Sequence, residues 1–448
     1  MLKKKRLLDV KGDLFATGAT FAWSAVVKFA NSLILTRILL PSAYGTVAIL
    51  MSIVYILVML SDIGFTVCIV RSPNGDQPRY FNTAWTLRFV RAILDAVIMY
   101  FCAPFVADLY AAPVLTLPLR VLAVWFLIDG LESPSFPLAI RAKNSRLFIY
   151  SESAGNTIGS IFAVIYCYYS RDYWGLVYSN LVSRGVVVAL SYWFNPELRP
   201  RFHWDWESAK EISQYTRYVM PSSVLSIFLN QFDKAVFLRL FDLRLLGVYS
   251  LAGNIASPIE SLISKASHMV LYPRCAHNFR TDPQSFTVKY YLENAKLFTA
   301  ILAIPAAIGG AANFLVGTLY DPRYSSAGTV LEAFMARAVL LALATPAEDM
   351  LIATGESRLV LVGNVYRAVW MFGASMAGYY LFGFMGFTYG VALSGFPALG
   401  YYFWLQKRKG MLIAKYELVK ITFSCGIAIC AYLASDALWA ALRAVGLR

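Results

Sequence analysis

The chain has 448 residues, 58% of them hydrophobic and 15% charged, with a mean hydropathy of +0.57 and a net charge of +14. Water does not keep so apolar a chain dispersed, so composition excludes a soluble globular enzyme and points to an all-α polytopic membrane protein. With apolar segments along its whole length, the basic surplus reads as a topology signal and not as the footprint of a nucleic-acid partner.

Crossing a hydrocarbon layer as helix takes roughly 20 apolar residues. The sequence predicts spans over 14–36, 43–69, 82–107, 114–140, 147–169, 174–194, 218–240, 245–272, 293–320, 328–353, 359–382, 384–405 and 416–435. Twelve form a core and the thirteenth follows it, and Leu438 to Leu442 either prolong that last helix or lie along the interface. The first stretch follows Lys3, Lys4, Lys5 and Arg6 but is too long for a signal h-region, so it is expected to remain as a span. With the N-terminus inside, the inner loops collect 23 Lys and Arg residues, and the outer loops hold Arg37, Arg171, Arg239, Arg244 and Arg323. That asymmetry supports the span count and places the N-terminus in the cytoplasm. Cys68, Cys102, Cys167, Cys275, Cys425 and Cys430 form no CxxC pair and mostly lie in apolar spans, so neither a disulfide framework nor a metal site is expected.

The chain is also written twice. At an offset of 202, Leu35 to Gly45 align with Phe237 to Gly247, and the same ungapped shift lays Ser24 on Ser226, Lys28 on Asn230, Asn31 on Asp233 and Ile53 on Ile255. Six spans precede the longest polar connection, roughly Asn195 to Tyr215, and six follow it. Even-numbered halves enter from the same side, which predicts parallel six-helix lobes with a cavity between them. The expected division is 1–204, 205–407 and an additional C-terminal membrane segment, 408–448. Within the connection, Asp205 and Glu207 superficially resemble a metal-sugar carboxylate pair, but a solvated amphipathic linker with interfacial tryptophans explains them better.

Several stretches resemble one transporter family. These are Arg37-Ile38-Leu39-Leu40-Pro41-Ser42-Ala43-Tyr44-Gly45, Asp62-Ile63-Gly64, Asn230-Gln231-Phe232-Asp233-Lys234, Leu246 to Ala252, Pro258, and Leu271-Tyr272-Pro273. In order and spacing they are similar to the polysaccharide, or Wzx-like, branch of the multidrug/oligosaccharidyl-lipid/polysaccharide exporter superfamily, over roughly residues 14 to 405. The chain departs from that wording at Arg217-Tyr218, followed by Val219-Met220-Pro221, where the family often has Phe-Gly. The resemblance implies a two-lobed, non-enzymatic exporter. Such a protein turns polyprenyl-diphosphate-linked oligosaccharides from the cytoplasmic to the outer face by alternating access. Polymerase and chain-length components of a polysaccharide pathway are the implied protein partners.

A flippase needs a polar passage for a diphosphate head group while the polyprenyl tail stays in lipid, so ionisable residues at bilayer depth are the candidates. Arg88, Arg91 and Asp95 are spaced i, i+3 and i+7 on one helical face, and guanidinium forks suit phosphate oxygens. Either the two arginines touch the head group or Asp95 and other acids neutralise them. Lys28, Arg184, Lys265, Arg337 and Arg367 complete the candidate substrate contacts. A polar stripe of Ser257, Glu260, Ser261, Ser264, Lys265 and His268 surrounds Lys265, for which snorkelling to water is the alternative. Asp62, Asp95, Asp129, Asn31, Asn230, Asp233 and Glu260 are candidates for coupling to protons, sodium or membrane potential. Gly155-x-x-x-Gly159 and Gly386-x-x-x-Gly390 predict close helix approach.

Two other classes compete. A multidrug or cation-coupled small-molecule exporter favours acids over arginines in its cavity. A membrane-embedded glycan polymerase or glycosyltransferase needs large outer loops with catalytic carboxylates. The deep arginines and short outer loops disfavour both, and no Gly-rich P-loop is present to bind ATP phosphates.

Overall fold

The computed structural model of the chain describes residues 10–62, 64–142, 144, 146–195 and 198–444. Lys3, Lys4, Lys5, Arg6, Ile63 and Lys143 lie outside the described residues, as do the side chains of Arg217 to Pro221 and of Ser226. Every regular element among the described residues is helical, and the predicted spans fall largely on helix, although those over 43–69 and 114–140 are each broken into two, Pro41–Ser61 with Phe65–Arg71 and Thr116–Gly130 with Ser135–Arg141. The helices are α1 (Val10–Ile38), α2 (Pro41–Ser61), α3 (Phe65–Arg71), α4 (Pro78–Leu109), α5 (Thr116–Gly130), α6 (Ser135–Arg141), α7 (Arg146–Ser170), α8 (Trp174–Trp193) and α9 (Trp206–Leu240). There follow α10 (Leu243–Ala266), α11 (Tyr272–Thr281), α12 (Phe286–Gly310), α13 (Ala312–Leu319), α14 (Ala327–Ala353), α15 (Ser357–Ala392), α16 (Phe396–Arg408) and α17 (Ala414–Ala444). Among the described residues, eight stretches are long and apolar enough to cross a membrane. The more polar α7, α8 and α10, which carry Glu152, Arg184 and Glu260, are helical but outside those eight. The chain is an all-α, multi-pass membrane protein.

The internal repeat reappears in the helix boundaries. Ile38 ends α1 and Leu240 ends α9, while Pro41 opens α2 and Leu243 opens α10. Both pairs of boundaries are 202 residues apart (240 − 38 and 243 − 41).

Packing divides the chain into two units, Met1–Leu246 and Gly247–Arg448. The division falls after the second copy of the repeated junction instead of near residue 204, because α9 lies against α2, α3 and α4. In the first unit, Gly64 opens α3 at φ 68°, and a Cβ there would stand 2.8 Å from the Tyr215 ring. Only glycine meets both demands cheaply. Asp62 Oδ1 accepts the Gly64 N–H at 2.9 Å, so two residues of the Asp62-Ile63-Gly64 motif shape this turn. The connection before α9 is laced onto α4. The backbone N–H groups of Arg201, His203 and Asp205 donate to Asn82 Oδ1, Thr86 Oγ1 and Thr83 Oγ1 at 3.0, 3.1 and 3.1 Å. Asp205 itself caps α9 by accepting from the Ser208 N–H at 3.0 Å. A cap is the work of this carboxylate, and no metal-holding group of acids, histidines or cysteines occurs among the described residues.

In the second unit, α15 reverses at Gly383 (φ 63°, ψ −136°), the residue between two predicted spans. Its arms touch through small residues: a Cβ on Gly386 would lie 2.0 Å from the Gly378 carbonyl oxygen, and one on Gly390 2.6 Å from Ala374. The last helix is no separate appendage, since α17 packs on α12 and a Cβ on Gly310 would meet the Ala428 carbonyl at 2.2 Å.

Candidate functional site

Deep ionisable residues gather in a charge network in the first unit and stand as separate groups in the second. In the first, four helices converge because α7 and α8 approach closely. A Cβ on Gly155 would stand 2.6 Å from Val187 Cγ2 and 2.7 Å from the Ser183 carbonyl, and one on Gly159 would stand 2.9 Å from the Ser179 carbonyl. The expected glycine contacts are therefore present, and they bring Arg184, beside Ser183, against Glu152 at 3.4 Å. Arg184 also holds Asp129 at 2.6 Å and pairs with Glu132. Arg88 donates from Nη1 to Glu132 at 3.1 Å and from Nη2 to Asp129 at 3.2 Å. Its guanidinium also lies over the Phe65 ring at 4.8 Å. Two guanidiniums thus share three carboxylates.

Arg91 is held one turn away. It donates from Nε to Ser61 Oγ at 3.0 Å and to Asp95 at 3.1 Å, and from Nη2 to the Val58 carbonyl at 3.2 Å. Asp62 stands 3.7 Å from its Nη1. The open arginine face expected over Arg88 and Arg91 is therefore occupied. Asp62, Asp95, Asp129, Glu132 and Glu152 pair with Arg88, Arg91 and Arg184. Lys28 is exposed on α1 within electrostatic reach of Glu152. Asn31 is half-buried, and its Oδ1 has no hydrogen-bond partner among the described residues. Asn230 is exposed on α9, whereas Asp233 is buried and accepts the Lys234 N–H at 2.9 Å.

In the second unit, Arg337 and Glu260 form a two-pronged pair, Nε to Oε1 at 2.8 Å and Nη2 to Oε2 at 3.1 Å. A fork-on-fork geometry fixes both side chains. Lys265 is half-buried at the end of α10. Arg367 differs from the other deep arginines. It is half-buried on α15, its Nε is buried, and it makes no hydrogen bond or ion pair with any described residue. Glu260, Glu348 and Arg337 act on it only through their fields. One turn earlier, Gly363 leaves room for Tyr402, whose hydroxyl oxygen would stand 2.4 Å from a Cβ there.

Sequence reasoning passed over several of these acids. Glu132 and Glu152 belong to the network of the first unit, and Glu348 lies beside Arg367. Asp349 accepts from Ser267 at 2.7 Å and from Tyr290 at 2.8 Å. Glu417 pairs with Lys420 at 2.7 Å and accepts from Tyr291. The signal that singled out the arginines, an ionisable group inside an apolar span, applies equally to these.

With this geometry in place, comparison with known proteins decides the family. The family model described as "Polysaccharide biosynthesis protein" matches residues 34–327. The chain belongs to that family. Relatives of the chain include the succinoglycan biosynthesis transport protein ExoT of Rhizobium meliloti (strain 1021), 24% identical over 55% of this chain and 50% of that one. The teichuronic acid biosynthesis protein TuaB of Bacillus subtilis (strain 168) is 20% identical over 66% and 62%. The amylovoran biosynthesis protein AmsL of Erwinia amylovora is 22% identical over 64% and 74%. The alignments thus span about half to three quarters of these relatives' lengths. In fold, the chain is similar to the lipid II flippase MurJ in an inward closed conformation, with a TM-score of 0.71 at 10% identity over 96% and 99% of the two chains. It is also similar to a multidrug resistance MATE family transporter of the MOP superfamily, with a TM-score of 0.61 at 15% identity over 86% and 95%.

Proposed function

We propose that this chain is a flippase, a transporter and not an enzyme, that carries a polyprenyl-diphosphate-linked oligosaccharide from the cytoplasmic to the outer face of a bacterial inner membrane. It works by alternating access, for surface polysaccharide export. Support comes from relatives named for polysaccharide biosynthesis and transport, and from the likeness to a lipid II flippase. One observation carries the reading at the residue level. Arg367 is a guanidinium at bilayer depth whose hydrogen-bonding groups no described carboxylate occupies. A guanidinium whose buried Nε has no partner is costly, and an anionic head group would neutralise it with charge-assisted hydrogen bonds.

The charge network of the first unit supports a second element of the proposal, coupling to a cation. Asp129, Glu132 and Glu152 outnumber Arg88 and Arg184 by one negative charge. A proton or sodium ion entering this network would balance it. A drug exporter also favours acids, but the unoccupied Arg367 would repel its cationic substrates.

The test is polymer export in cells lacking the native chain and supplied with variants. Arg367→Ala is expected to stop export at normal membrane abundance, and Arg367→Lys to retain part of it, since an ammonium keeps the charge but loses the fork. Full export by Arg367→Ala would remove the head-group assignment. Reconstitution with lipid-diphosphate glycans under separate proton, sodium and voltage gradients identifies the coupling.

A further inference from the structure

The turn between α16 and α17 is not used by the reading above. Lys407 and Arg408 end α16, Lys409 follows it, and Lys415 lies in the first turn of the next helix, with no acid between Trp404 and Lys415. All four cations are exposed. The turn is built to a fixed shape: Gly410 adopts φ 69°, and the Met411 N–H reaches back to the Gln406 carbonyl at 2.8 Å, closing the helix end in a left-handed cap. The turn is also tied to its neighbour. Lys409 Nζ pairs with Glu356 at 2.5 Å, which brings the loop between α14 and α15, with exposed Arg358, to the same end of the unit. That pair consumes Glu356, the acid of this loop, and leaves Lys407, Arg408, Lys415 and Arg358 unopposed by it. Trp404, one turn before Arg408, is 54% exposed, and the Arg408 guanidinium stands 5.6 Å from its ring centre. An indole beside exposed cations at the end of a membrane helix matches the headgroup level of a bilayer, where tryptophan rings settle.

We propose that Lys407, Arg408, Lys415 and Arg358 form a docking surface for acidic phospholipid headgroups, with Trp404 seated among the adjacent acyl chains. Cations clustered beside a membrane span draw anionic lipid out of a mixed leaflet, and the effect adds from residue to residue. A rigid turn strengthens this, because the side chains reach the surface without ordering a loop first. The surface does not depend on the flippase reading, since it concerns the surrounding lipid and not the cargo.

The experiment uses the full chain in phosphatidylcholine vesicles containing a minor share of phosphatidylglycerol, with brominated chains on one lipid or the other. The share of tryptophan fluorescence lost in Trp404→Phe isolates the reporter. Bromine on phosphatidylglycerol is expected to quench that share at least about twofold more strongly than the same amount on phosphatidylcholine. The preference should vanish in Lys407→Ser/Arg408→Ser/Lys415→Ser and persist in Lys407→Arg/Arg408→Lys/Lys415→Arg. Equal quenching by both lipids, or a preference surviving the serine variant, overturns the assignment. Absence of quenching by either lipid also overturns it, as a protein partner covering the turn would produce.

Discussion

Arg88 and Arg91 lie three residues apart on α4, yet different groups hold them. Arg88 answers to Asp129 and Glu132 from α5 and the turn after it, and Arg91 to Ser61, Asp95 and Asp62. If Arg88 did no more than touch a head group, Arg88→Ala would stop export and leave abundance normal. The pairing predicts otherwise. Removing Arg88 leaves Asp129 and Glu132 to Arg184 alone, and breaking a buried ion pair costs about 3–5 kcal/mol. Arg88→Ala should lower both membrane abundance and the unfolding temperature in detergent, and Arg88→Met with Glu132→Gln should recover most of the loss. A variant as stable as the parent would show these contacts to be incidental. For Arg367 the expectation reverses, because no described partner is stranded when it is replaced.

Between elements, the α7 and α8 contact governs the network more than any single charge does. Gly155 and Gly159 present bare backbone to Ser179 and Ser183, and Arg184 follows directly in sequence. Gly155→Val must push α8 away, since a Cβ alone already meets Val187 and the Ser183 carbonyl. Overpacking of this kind costs about 1–3 kcal/mol. The expected outcome is a lower unfolding temperature together with loss of protection of Arg184 from guanidine-directed labelling. Gly185→Ala, which meets nothing within 4 Å, serves as the control. Glycine spacing made this contact legible in the sequence. Its charge consequence was not, because Glu132 and Arg184 are 52 residues apart and their meeting depends on how three helices pack. The turn at Asp62 and Gly64 was likewise visible as a motif, but the need for glycine there was not, since Tyr215, whose ring would meet a Cβ, comes from a distant helix.

At the scale of the molecule, apolar runs suffice for the all-helical class, most helix positions and the reversal at Gly383, but not for the breaks after Ser61 and Gly130. They do not locate the boundary between units, because α9 follows a polar connection yet packs backward onto α2 and α4. They also suggest that residues after 408 are an addition. The contacts say that α17 completes its unit: Glu417 and Lys420 are buried, and Lys420 Nζ lies 5.0 Å from the Tyr291 ring centre and 5.4 Å from that of Phe298. Truncation after Lys409 should therefore expose Tyr291 and Phe298 and reduce membrane abundance severalfold, measured against the full chain at equal transcript level. Normal abundance of the shortened chain would assign α17 a dispensable role.

The hairpin at Gly383 carries an evolutionary corollary. Its arms meet glycine against glycine on both sides of a single pivot residue, so the segment has no slack to absorb a change in length. One inserted or deleted residue would rotate an arm by about 100° and swing Gly386 and Gly390 out of the seam. Among descendants of this gene, indels should spare the stretch from Gly378 to Gly390.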